Sequence, residues 1–130
     1  MKCSMQYRRM DSSRVLLLSG VTLLSISALM GFVQERHRES PEAFARWRVV
    51  HAGGAAGAVQ LIALAAVWSQ LTATGWRAML PLGLVFASWA FFLGPLARAM
   101  ELPRVSRWLN VAGAIVALPT YVLLPALLAA

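Results

Sequence analysis

Acidic residues are scarce in this sequence. Five Asp and Glu stand against twelve Lys and Arg in 130 residues, and all five (Asp11, Glu35, Glu39, Glu42, Glu101) lie outside the long apolar stretches. A small proton-coupled drug exporter is therefore excluded, because relaying protons through a bilayer requires an intramembrane carboxylate. Cysteine is nearly absent as well. Cys3 stands alone, so an intrachain disulfide, a cysteine-based metal site and dithiol chemistry are ruled out. Charge of either sign is thin, at 13% of residues, where a soluble domain carries roughly 25%. There is no Ser/His/Asp pattern, P-loop, dinucleotide fingerprint, internal repeat or low-complexity segment.

What fills the chain instead is apolar. Hydrophobic residues make up 59% of it, and the mean hydropathy is +0.66. Charges gather at 2–14, 35–48 and 98–107, with Arg77 apart from them. A span needs about 20 apolar residues to cross a hydrocarbon core about 30 Å thick. Four stretches qualify: Val15–Val33, Val49–Ser69, Ala78–Ala97 and Trp108–Ala129. The expected fold is all-α, an integral membrane four-helix bundle forming one domain over residues 1–130. The basic segment Met1–Arg14 ahead of an apolar run resembles the start of a signal peptide. The run exceeds the usual length and no small-x-small cleavage site follows, so a retained helix is expected. A net charge of +7 would suggest nucleic-acid binding on a soluble chain. Here the arginines sit at membrane boundaries, where they meet lipid headgroups, and nucleic acid is not an expected partner. The two sides of the bundle would carry five and seven Lys and Arg, too even a split to set orientation.

Helix 1 reads as plain, with leucines, serines and a few small residues. Ser40 and Pro41 read as N-cap and first helical position, opening a short amphipathic turn that leads into helix 2. Helix 3 carries Pro81, Gly83, Gly94, Pro95 and the aromatics Phe86, Trp89, Phe91 and Phe92, and Pro95 is expected to kink or end it. Helix 4 starts near Trp108, an interfacial anchor, and contains Asn110, Pro119, Thr120 and Tyr121.

Helix 2 holds the chemistry. Its run Trp47-Arg48-Val49-Val50-His51-Ala52-Gly53-Gly54-Ala55-Ala56-Gly57-Ala58 includes a GxxxG pair, Gly53 and Gly57, in a smooth surface of alanines. Small residues let a second backbone or a flat ligand approach closely. His51 lies about one turn inside the span, with Gly54, Ala55 and Ala58 on its own face at i+3, i+4 and i+7. A lone histidine cannot build a zinc site, but it can be the axial ligand of a haem, whose porphyrin supplies the other four nitrogens. A packing or interfacial histidine and a proton relay are the competing readings of the same residue. His37, between Arg36 and Arg38, has neighbours that oppose a metal cation and reads as a solvated loop residue.

The element Ser40-Pro41-Glu42 followed by Trp47-x-x-x-His51-x-Gly53 resembles the styrene oxide isomerase family of small four-helix membrane proteins. Arg9-Met10 before helix 1, Val85-x-x-x-Trp89-Ala90 on helix 3 and Pro119-Thr120-Tyr121 on helix 4 extend the resemblance over nearly the whole chain. The W-x-x-x-H-x-G element is the most specific of these. The resemblance implies a homotrimer holding haem b near a subunit interface, with His51 as ligand to the iron. It also implies a ferric haem acting as Lewis acid, opening a small hydrophobic epoxide and yielding an aldehyde after a hydride shift. Cofactor contacts are then expected from His51, Gly54, Ala55, Gly57, Trp89 and Tyr121, in a multi-pass protein of the bacterial inner membrane. Three positions depart from the family pattern. Gly57, Ala87 and Pro95 stand where the family places an asparagine, an aspartate and a tyrosine around the substrate. Tyr121 and Asn110 could supply polar groups instead, whereas Gln60 falls on the side of helix 2 opposite His51. Haem binding is accordingly expected more firmly than isomerase activity, and non-catalytic haem proteins (sensor, carrier or complex subunit) and a cofactor-free interaction protein remain as alternatives. The four-helix glutathione-transferring enzymes fit less well, since the Arg/Asn/Glu set expected on helix 2 is missing.

Overall fold

The structure is a computed structural model describing residues 2–68, 70 and 79–128, with side chains between 12 and 125. It contains four helices: α1 Lys2–Arg36, α2 Pro41–Trp68, α3 Leu80–Ala99 and α4 Pro103–Leu128. All four are long and apolar enough to cross a membrane, which fits a multi-pass integral membrane protein. The expected boundaries at Ser69, Ala78 and Ala129, the loop cation Arg77 and the side chains of Arg9 and Met10 lie outside the described residues.

The helices overrun their apolar stretches because hydropathy marks where the bilayer begins, not where helical hydrogen bonding stops. α1 extends back to Lys2 through a segment with no Pro or Gly to interrupt it, and its membrane-compatible part is Ser12–Arg36. The separate interfacial turn expected before helix 2 is absent: Pro41 opens a single continuous α2. Ser40 occupies its N-cap, with the Ser40 carbonyl accepting the Phe44 N–H at 2.8 Å. α4 likewise begins at Pro103 rather than Trp108, and the Leu102 carbonyl accepts the Ser106 N–H at 3.0 Å. Proline at the first helical position loses no hydrogen bond there.

Pro95 lies inside α3, which continues to Ala99. Its missing N–H leaves the Phe91 carbonyl without its usual partner, one turn before the helix would stop anyway. The end itself is a Schellman turn: Glu101 N–H donates to Arg98 O at 3.0 Å and Leu102 N–H to Ala97 O at 2.8 Å. Such a turn needs a left-handed residue, usually glycine. Here it is Glu101, at φ 63.

Close approaches fix the topology. Beside α1, Gly20 faces Ile62, Leu23 faces Gly57, Ser27 faces Gly54 and Gly31 faces His51. Ascending numbers on α1 thus meet descending numbers on α2, an antiparallel hairpin. The same pattern joins α3 to α4 through Gly83 with Thr120, Ala90 with Gly113 and Gly94 with Asn110. The two hairpins meet where α2 packs on α3, through Gly54 with Phe92 and Gly57 with Ser88. Leu16, Leu23, Val50, Ala58, Leu61, Trp68, Leu84 and Phe92 fill the core. Leu18, Phe32, Ile115, Leu118 and Val122 point outward, as lipid-facing residues must when the surroundings are hydrocarbon.

Polar contacts also tie the helices together inside this apolar setting. Ser13 Oγ donates to Ala65 O at 2.8 Å, Trp89 Nε1 to Ser19 Oγ at 3.1 Å, and Tyr121 OH to Gln60 Oε1 at 2.8 Å. Outside the span, Arg46 meets Glu101 at 3.6 Å, linking the start of α2 to the α3–α4 turn.

Candidate functional site

His51 enters the α1–α2 groove half-buried, and two features of α1 determine its pose. Its Nδ1 is 2.6 Å from the Ser27 carbonyl oxygen. A carbonyl can only accept, so Nδ1 carries a proton, and in the neutral form of the ring the lone pair sits at Nε2. Metal-ligating imidazoles are commonly held this way, with the far nitrogen donating to a carbonyl that fixes the tautomer, and purely structural histidines make the same contact, as His37 does to Val33 O. The second feature is Gly31. A Cβ built there would lie 3.3 Å from both His51 Cε1 and Nδ1, so the ring rests against bare backbone. Gly31 and Ser27 are one turn apart on α1. Together they hold the ring flat and oriented.

Neither residue is evident from an inspection for ionisable groups, because neither acts through a functional side chain. The signal present in the sequence is Ser27-x-x-x-Gly31, a small-x-x-x-small spacing on helix 1 facing the better-known one on helix 2.

The other expected site residues separate into groups. Gly54 is buried, and a Cβ there would overlap Ser27 Oγ and approach Phe92 Cδ2 to 2.6 Å. Gly57 faces Leu23 and Ser88, each 3.5 Å from its notional Cβ. Within the chain, both glycines therefore serve the approach of α1 and α3. Gly53, the other half of the GxxxG pair, has nothing within 4 Å of a notional Cβ, so the pair does not act as one packing motif here. Ala52, Gly53 and Ala56 are the exposed small residues, and Ala55 is half-buried between the two faces.

Trp89 is held by Ser19 on α1 and meets Phe92 edge-on at 6.2 Å. Tyr121 pairs with Gln60, nine residues beyond His51, and two and a half turns at 3.6 residues per turn place that side of α2 away from the His51 face. Asn110 abuts Gly94. Ala87 is fully enclosed. One chain thus brings His51, Ser27, Gly31 and Gly54 together and leaves Tyr121 elsewhere.

His37 differs from the solvated residue expected from its arginine neighbours. Its Nδ1 lies 2.8 Å from Val33 O and its ring stacks on Trp47 at 5.8 Å. The half-buried ring closes the α1–α2 turn, because an aromatic face and a helix-end carbonyl outcompete water there.

Among the described residues no three His, Cys, Asp or Glu side chains cluster as a metal site would require. A metal held by His51 would have to come in a cofactor that brings its remaining ligands with it.

The styrene oxide isomerase family model matches residues 12–130. The chain belongs to the styrene oxide isomerase family. Comparison with curated proteins and with solved structures finds no match. The family match spans all four helices, so His51, Gly57, Ala87 and Pro95 all fall inside it.

Proposed function

We propose that this member of the styrene oxide isomerase family is a haem b protein of the bacterial inner membrane, with His51 Nε2 as the protein ligand to iron, and that its reaction is the isomerisation of a small hydrophobic epoxide to a carbonyl compound. The observation that carries this reading is the Nδ1 contact to the Ser27 carbonyl, which leaves Nε2 as the free ligand atom. The fit of the group rests on the same place: a half-buried ring, bare backbone at Gly31 behind it and small residues Ala52, Gly53 and Ala55 beside it. When bound, ferric haem supplies a Lewis acid for epoxide opening. The chain's own part is to hold His51 through Ser27 and Gly31, and to keep water away with an apolar surround. A homotrimer is part of the same proposal. Tyr121 and His51 lie on different faces of one chain, and a ring of copies sets one face of each subunit against another face of the next.

A second reading, a membrane haem protein without catalysis, is favoured by one specific observation. Gly57 carries no side chain and Ala87 is an enclosed methyl group, so neither position offers a polar group to orient a substrate. Lost positioning costs on the order of 100-fold in rate.

The test is the absorption spectrum of detergent-purified protein expressed with haem supplied, beside His51→Ala with and without added imidazole. A Soret band in the wild type, lost in the variant and restored by imidazole, is expected. A colourless wild type, or a variant that keeps its band, would overturn the assignment. Epoxide-to-aldehyde turnover by the haem-loaded protein then separates the isomerase from the non-catalytic reading.

A further inference from the structure

On the side of α2 turned away from α1, a hollow of about 390 Å³ opens between the start of α2 and the end of α3. Its size is within the range of about 300–1,000 Å³ typical of small-molecule sites. Glu42, Arg46 and Arg98 form its polar wall, and Val49, Pro95 and Ala99 its apolar one. The division largely follows the charge pattern, since the charge-free stretch of α2 begins at Val49 and that of α3 ends at Ala97, with only Ala99 beyond it. An occupant must therefore be polar at one end and apolar at the other.

The charges specify the polar end. Arg46 is engaged by Glu101 at 3.6 Å. Among the described residues Glu42 and Arg98 have no ion pair. With the Arg46–Glu101 pair set aside, the hollow presents one free anion and one free cation, on different helices. Each complements its own helix end, Glu42 in the first turn of α2 and Arg98 in the last turn of α3. Helix-end electrostatics alone, however, does not account for both facing one amphipathic hollow.

We propose that this hollow binds a single glycerophospholipid with a zwitterionic, primary-ammonium headgroup, the ethanolamine class. Arg98 takes the phosphate, Glu42 accepts hydrogen bonds from the ammonium, and an acyl chain runs along Val49 and Pro95. A glycerol headgroup offers no cation to Glu42, and a choline headgroup offers no N–H donor. His51 does not line this hollow, although Pro95 does and also falls at a substrate-side position of the family pattern, and the proposal does not depend on the haem assignment.

The experiment is native mass spectrometry of the intact protein, released from detergent micelles containing phosphatidylethanolamine, phosphatidylglycerol or phosphatidylcholine. Wild-type protein should retain one phosphatidylethanolamine per chain, with about tenfold weaker retention of the other two, as expected for one charge-assisted hydrogen-bond set. Glu42→Gln should erase the preference among lipids, and Arg98→Gln should weaken all three by about tenfold. Both side chains are exposed, so helicity by circular dichroism should be unchanged. Equal retention of phosphatidylglycerol by the wild type, or phosphatidylethanolamine retention indifferent to both substitutions, would overturn the proposal. An effect of Arg98→Gln alone would leave an anion site and overturn the ethanolamine assignment.

Discussion

Replacing Gly31 by alanine and then by valine tests the pose of His51 in graded steps. An alanine Cβ would sit 3.3 Å from Cε1 and Nδ1 of the ring, tighter than ordinary carbon contact by a few tenths of an ångström. The imidazole can yield that much by tilting, and the 2.6 Å contact to Ser27 O lengthens without breaking. Glycine to alanine inside a helix also gains about 1 kcal/mol of propensity. Gly31→Ala should therefore melt slightly higher and bind haem within a few-fold of wild type. Valine adds two methyl groups beyond the Cβ, more than tilting can absorb, so the ring must rotate away and lose its carbonyl partner. Loss of such a supporting contact typically weakens metal affinity 10–100-fold. Two assays check this. Haem titration into apoprotein gives the affinity series, and ¹⁵N NMR of the histidine ring reports the tautomer without any cofactor. The expected wild-type spectrum has the proton on Nδ1, and Gly31→Val should give a mixture. If the valine variant keeps both the affinity and the tautomer, the ring is not held as described.

Two other substitutions follow from the packing. Gly54→Leu should prevent proper assembly of α1, α2 and α3, because even a Cβ would overlap Ser27 Oγ and crowd Phe92. Overpacking of this sort costs roughly 1–3 kcal/mol or more. Gly53→Leu, facing open space, should leave the melting temperature in detergent nearly unchanged, and equal damage from both would contradict the described helix faces. Glu101→Gly should raise the thermal midpoint. A non-glycine residue in the left-handed region costs roughly 1–2 kcal/mol, partly offset by the extra freedom glycine gives the unfolded chain. The contact it loses joins a largely exposed Glu101 to a half-buried Arg46 at 3.6 Å, and a pair with one partner in solvent contributes little. A lower midpoint would show that the ion pair outweighs the backbone strain.

The four helices were legible in the sequence because charge and hydropathy alternate in blocks too long for any other fold. Their limits were less so. The start of α1 at Lys2 and of α4 at Pro103 reflect helical propensity outside the bilayer, where hydropathy carries no information. Pro95 was expected to kink or end α3. A proline one turn from the C-terminus forfeits a single hydrogen bond, and the Schellman turn at Glu101 sets the end instead. Of the candidate site, His51 stood out as the one histidine within an expected span. Its partners did not, since Ser27 acts through its backbone and Gly31 through the lack of a side chain. The face of each helix-2 glycine was also hidden. Gly53 and Gly54 are adjacent in sequence, yet one looks outward and the other is sealed by Phe92, a distinction that depends on where α3 docks.

An imidazole tethered to a main-chain carbonyl has an evolutionary consequence. Every residue type offers a carbonyl, so position 27 can change without cutting the tether, as long as the new side chain fits against Gly54. No compensating pair of substitutions marks the contact, and methods that seek contacts through co-varying positions would pass over it. The pressure falls instead on position 31, where almost any mutation adds atoms against the ring. The signature of a histidine held in this way would be a position twenty residues upstream confined to glycine or alanine, within a helix otherwise free to drift.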